Sequence, residues 1–215
     1  MKKIDTLLFD LDGTLVDSWP AMYQSIAYAL EKMDRPAISF QELLTYAPKG
    51  MINAWASMLE STDETTLHQA IETYKTAFSE LFFHEIVTYP GVAESLDYFR
   101  DKEKIVVTNA LADHAWEILR QAKLDEFIDD IIGGDDIGCL KPTACPLDRE
   151  MDKFEADKLK ALMVGDMVVD IEAGKAAGVR TCAITYGMGK LEDLKAAEPD
   201  YLIHDFRELK NLVSK

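Results

Sequence analysis

Hydrophobic and polar positions divide the chain into three zones. Ile4–Asp10 is an apolar run of the kind a buried strand gives, and it stops at the turn pair Asp12-Gly13. From about Val16 to His84 the apolar residues recur at three- and four-residue steps. Trp19, Met22, Tyr23, Ile26, Leu30 and Met33 form one set, Met51, Ile52, Trp55, Met58 and Leu59 a second, and Leu67, Ile71, Tyr74, Phe78, Leu81 and Phe82 a third. Each set predicts one apolar helix face. Ser18 is placed to cap the first helix, with Pro20 in its first turn. Breaks fall near Asp34–Ala37, Pro48–Gly50 and Ser61–Asp63, so this zone is expected to be a small helical bundle without strands.

The third zone alternates. Strands are expected at Ile105–Thr108, Ile128–Ile132, Leu159–Val164, Val179–Thr185 and Tyr201–Ile203. Helices are expected at Asp113–Gln121, Pro146–Phe154 and Ile171–Ala177, with one more at the end of the chain. Such alternation predicts a parallel sheet built from right-handed crossovers. The lone strand at the start needs that same sheet. The expected organisation is therefore an α/β core of residues 1–15 and 85–215, with a helical insertion at 16–84.

Open parallel sheets bind ligands beyond the carboxyl ends of their strands. The residues expected there are Asp10, Asp12, Gly13 and Thr14 after the first strand, and Thr108 and Asn109 after the second. Lys141 follows the third strand and its loop, and Gly165, Asp166 and Asp170 follow the fourth. Four carboxylates in one crevice repel one another and would raise each other's pKa values. A hard divalent cation with oxygen ligands relieves this, and Mg2+ takes one or two carboxylates together with water and substrate phosphate. Lys141 suits a point charge for a phosphate or for the nucleophile. Thr108 and Asn109 can donate to phosphate oxygens. A carboxylate can accept a phosphoryl group. A second acid two residues on can protonate the leaving oxygen and later deprotonate water.

Composition narrows the partners. Asp and Glu number 39 against 23 Lys and Arg, a formal charge of −16. No Lys/Arg cluster offers the basic patch that nucleic acid or an anionic membrane requires. No stretch approaches the ~20 apolar residues of a membrane span, and Met1-Lys2-Lys3 does not lead into a signal peptide. Cys139, Cys145 and Cys182 include no C-x-x-C pair, which argues against a zinc site or a disulfide framework and fits a reducing compartment. His68, His84, His114 and His204 are scattered. A soluble cytoplasmic protein, monomer or homodimer, is expected.

F-D-L-D-G-T-L-V-D-S at Phe9–Ser18, V-V-T-N at Val106–Asn109, Lys141-Pro142, and G-D-M-V-V-D-I-E-A-G at Gly165–Gly174 stand in this order along the chain. In these segments the sequence resembles the haloacid dehalogenase superfamily, and within it the phosphoglycolate phosphatase-like group with an α-helical cap. The resemblance implies a Rossmann-like parallel sheet flanked by helices and a phosphatase of small phosphate monoesters that uses Mg2+ and an aspartyl-phosphate. It implies Asp10 as nucleophile and metal ligand. Asp12 would be the acid/base, binding the metal through its backbone carbonyl. Asp166 would complete the metal ligands, with Asp170 supporting from behind them, and Thr108, Asn109 and Lys141 would hold the phosphate. The substrate implied is a small phosphorylated metabolite: phosphoglycolate-like, a sugar phosphate or a nucleoside monophosphate. Alternatives are a β-phosphoglucomutase-like phosphosugar mutase and a non-catalytic phosphorylatable binding module. Met167 departs from the Ser or Thr common at its position, and T-A-C-P after Lys141-Pro142 departs in its proline spacing. Lys49 reads as a surface lysine that could reach an anionic substrate. Asp135-Asp136 reads as a solvated loop or helix cap. Tyr186-Gly187-Met188-Gly189-Lys190 lacks Walker spacing and reads as a turn.

Overall fold

The computed structural model describes residues 3–134 and 140–213, so Asp135-Asp136 and Cys139 lie outside the described residues. The chain divides into two compact units, 1–17 with 88–215 and 18–87. The boundaries expected from sequence stood at 15/16 and 84/85. The difference comes from two short strands, β2 (Val16–Asp17) and β3 (Val87–Thr88), at the ends of the helical zone.

The first unit is built on a parallel sheet. Its strands are β1 (Thr6–Phe9), β4 (Glu103–Val107), β5 (Asp130–Ile132), β6 (Ala161–Gly165), β7 (Arg180–Ile184) and β8 (Tyr201–Ile203), in the order β5-β4-β1-β6-β7-β8. Every described pairing is parallel. β1 is central and fully buried. Leu8 packs into a cluster with Ile105, Val107, Ile132, Leu147, Met151 and Met163. Its neighbour Phe9 faces the other way and meets the ring of Phe206 at 5.7 Å. Helices therefore cover both faces, which is why these strands read as continuous apolar runs. The helices of this unit are α5 (Val92–Tyr98), α6 (Ala112–Ala122), α7 (Cys145–Lys153), α8 (Val168–Ala177), α9 (Leu191–Ala196) and the single turn α10 (Leu209–Leu212). Cys182 is buried and free.

The second unit is helical: α1 (Trp19–Lys32), α2 (Phe40–Tyr46), α3 (Met51–Leu59) and α4 (Glu64–Ala77). Its core holds Trp55, Tyr74 and Phe78, all fully buried. Trp55 and Tyr74 meet edge-on at 6.2 Å, and Phe78 lies 5.8 Å from Tyr74. Ser18 occupies the N-cap position of α1 but its side chain makes no capping bond. Capping is found instead at α2, where the Glu42 N–H donates to Ser39 Oγ and the Ser39 N–H to Glu42 Oε2. A π-helical turn at Phe78–Phe82 shifts the phase of the third apolar set, so Leu81 turns outward.

Glu150 of α7 is buried, and its Oε2 has no hydrogen-bond partner among the described residues. Burial, then the neighbouring Asp130, push its carboxyl from the ordinary 4.5 up to about 7. The folded chain therefore holds a proton there that the unfolded chain releases. The stability that goes with this proton is complete below about pH 4.5 and is lost as pH rises through about 7. Glu150→Gln should accordingly melt about 3 °C or more above the parent at pH 8. The gain should vanish at low pH, where Glu150 is itself protonated. Thermal melts across this range check it, and a Tm difference independent of pH refutes it.

Candidate active site

Strand register sets the geometry. Phe9 pairs with both Val106 and Val164, and Val107 pairs with Ile132. The carboxyl ends of four adjacent strands therefore come level. Asp10, the first residue beyond β1, continues the pairing through its N–H to the Val164 carbonyl at 2.9 Å. The chain then turns sharply. Gly13 takes a φ of +89°, in the left-handed region that favours glycine, and its N–H bonds the Val16 carbonyl at 2.8 Å.

Lys141 is buried at 2% exposure, and its ammonium touches three acceptors. Nζ lies 2.8 Å from Asp10 Oδ1, 2.7 Å from Asp170 Oδ1 and 2.6 Å from the Val107 carbonyl. The Val107 contact is a hydrogen bond, and the two carboxylate contacts are ion pairs. Burial alone would lower its pKa, but Asp10 and Asp170 outweigh burial and hold it above the ordinary lysine value. This lysine stays charged.

Asn109 holds the lysine's backbone. Its Oδ1 accepts from the Lys141 N–H at 2.9 Å and its Nδ2 donates to the Lys141 carbonyl at 3.0 Å. Both ends of the amide are engaged there, a contact not expected from sequence. Thr108 is buried, and its Oγ1 accepts from the Ala110 N–H at 3.1 Å, which leaves its own hydroxyl proton to donate.

The acids differ in their support. Asp170 accepts the Met167 N–H at 2.9 Å on Oδ2, and its Oδ1 forms the ion pair with Lys141. Met167 thus supplies a backbone group that any residue supplies. Burial raises the Asp170 carboxyl to about 6 although Lys141 works against the rise. Asp166 is fully buried and pairs with no cationic side chain among the described residues: Thr14 Oγ1 donates to its Oδ1 at 3.0 Å and the Met188 N–H to its Oδ2 at 2.7 Å. Burial, then the charges of Asp10 and Asp170, drive its pKa well above the ordinary range. Asp12 is as buried as Asp10, at 8% exposure.

Oxygens of Asp10, Asp166 and Asp170 lie within 4.8 Å of one another. Three carboxylates against one ammonium leave an excess of negative charge, and Asp166 has only neutral donors. This all-oxygen set fits a hard divalent cation. The carboxylate of Asp12 is not in that group, and no histidine is, among the described residues. Lys49 lies in the helical unit, with Nζ 3.2 Å from Ser57 Oγ and 4.9 Å from the Tyr46 ring centre. Thr14 was expected at this sheet edge without a role of its own, and Met188 was not expected as a site residue. The signal available for Met188 was its place just beyond β7, which borders β6.

The sequence profile of haloacid dehalogenase-like hydrolases matches residues 7–184. A phosphoglycolate phosphatase of Haemophilus influenzae is 30% identical over 215 residues, covering 95% of this chain and 96% of that protein. One from Pseudomonas syringae pv. syringae is 32% identical over 212 residues, 94% of this chain and 77% of that protein. The crystal structure of a predicted phosphoglycolate phosphatase from Haemophilus somnus superposes with a TM-score of 0.88 at 26% identity, over 99% of both chains. With four motif segments meeting at one sheet edge and a family match over most of its length, the chain belongs to the haloacid dehalogenase-like hydrolases.

Proposed function

We propose that this hydrolase is a Mg2+-dependent phosphatase of small phosphate monoesters, phosphoglycolate foremost, that works through an aspartyl-phosphate on Asp10. The observation that carries the reading is the ion pair of Asp10 with Lys141, 2.8 Å long and almost wholly buried. It holds one oxygen of Asp10 against a fixed positive charge and leaves the other to act as nucleophile. The phosphatase names of the relatives support the choice of reaction, and phosphoglycolate comes from those names alone. In this reading Asp10 Oδ2 attacks phosphorus while Oδ1 stays on Lys141. Asp12 gives its proton to the departing alkoxide oxygen. It then takes a proton from the water that attacks the acyl phosphate, releasing inorganic phosphate and regenerating Asp10. Asp10, Asp166 and the Asp12 backbone carbonyl would hold the cation, which offsets charge on the transferring group when bound. Thr108 donates its hydroxyl proton to a phosphate oxygen. Asn109 acts by holding Lys141, whose charge serves the nucleophile. The helical unit carries substrate selection.

With p-nitrophenyl phosphate and phosphoglycolate as substrates, Asp10→Asn should lower kcat by about 10^3-fold or more. EDTA should abolish turnover and Mg2+ should restore it. Full activity of Asp10→Asn, or activity that persists in EDTA, refutes the mechanism.

Lys141→Met should lose turnover and also stability. It strands Asp10 and Asp170 without their cation, and breaking a buried pair in this way costs about 3–5 kcal/mol. Urea denaturation of the metal-free protein measures it. A variant as stable as the parent would show that the pair does not govern the site.

A further inference from the structure

The segment after β7, Thr185–Lys190, takes no part in the chemistry above, yet it closes on Asp166. The Met188 N–H reaches Oδ2 of that carboxylate at 2.7 Å, while Thr14 Oγ1 reaches Oδ1 at 3.0 Å. A Cβ on Gly187 would fall into the Asp166 carboxylate, and one on Gly189 onto the Asp166 backbone carbonyl. Gly187 has no left-handed φ, so its constraint is room alone. Tyr186 ties the segment down from its other end. Its hydroxyl donates to the Thr14 carbonyl at 2.7 Å, and its ring centre lies 4.5 Å from that of Tyr89. The links close a ring: Tyr186 holds the backbone of Thr14, the Thr14 side chain holds one Asp166 oxygen, and Met188 holds the other.

We infer that Tyr186–Gly189 is a positioning segment for Asp166, fixing the rotation of its carboxylate so that the lone pairs left over by Thr14 and Met188 face the cation. A carboxylate offers about four lone-pair sites, and two are taken here. Turning the group breaks both bonds at once. Partners that orient a ligand in this way change metal affinity by about 10–100-fold when removed. The inference rests on the proposed metal site and concerns residues outside the four motif segments.

The test is direct metal binding. Mn2+ is titrated into metal-free protein and the free ion is counted by electron paramagnetic resonance, for the parent, Tyr186→Phe and Gly187→Ala. The Kd for Mn2+ should rise about tenfold or more in Gly187→Ala, and about threefold in Tyr186→Phe, which keeps the ring and loses only the hydroxyl. The Mg2+ concentration for half-maximal activity should rise in step, with kcat recovering at saturating Mg2+. A general loss of packing would lower Tm without that split. Tyr186→Phe carries the test where Gly187→Ala does not fold. Mn2+ affinity within the error of the parent in the folded variants overturns the inference while leaving the metal site standing. A parent protein that takes up no Mn2+ overturns both.

Discussion

One ammonium group organises this site. Lys141 Nζ sits where four segments far apart in sequence meet: the end of β1 at Asp10, the end of β4 at Val107, its own loop, and the first turn of α8 at Asp170. Removing a charge of this size from water costs several kcal/mol, recovered only when every donor finds an acceptor. Here two carboxylates and a backbone carbonyl stand against it. The Asn109 amide adds a second fastening, gripping the lysine's backbone on both sides. The position of the lysine is thus fixed at both ends of its side chain.

The same contacts divide the acids by role. Asp10 and Asp170 share the ammonium, and Asp170 has a backbone N–H besides. Asp166 has a hydroxyl and an amide, which are dipoles and not charges. Burial then falls hardest on Asp166, and its pKa is driven well above the ordinary range. The acid least compensated by the protein is the one where an external cation gains most.

The sheet was legible because its central strands are covered on both faces and leave unbroken apolar runs, as at Thr6–Phe9. Once the strands are parallel, looking just past their ends finds Asp10, Thr108, Lys141, Asp166 and Asp170. Other features were illegible for stated reasons. The Asn109 amide goes to Lys141, a partner 32 residues on that only the folded chain brings near. The helix Phe40–Tyr46 has too short an apolar face to detect, and its signal was the Ser39…Glu42 box. Ser18 has the right chemistry for a cap, but its φ of −105° and ψ of −5° are not those of a capping residue, and its hydroxyl makes no cap bond. Gly187 and Gly189 fit no phosphate-binding spacing. Their requirement comes from Asp166, and appears only when β6 and β7 are known to be neighbours.

The chain leaves the first unit after Asp17 and re-enters it at Thr88, and just inside these points the Tyr89 N–H bonds the Leu15 carbonyl at 3.2 Å. To the sheet, everything between is a loop whose ends already touch. The entropy of closing a loop grows only with the logarithm of its length, so the sheet is almost indifferent to what that loop contains. A short turn or another domain would span the same gap. The closing cost of the helical insertion is thus set by how its two ends are held and hardly by its length.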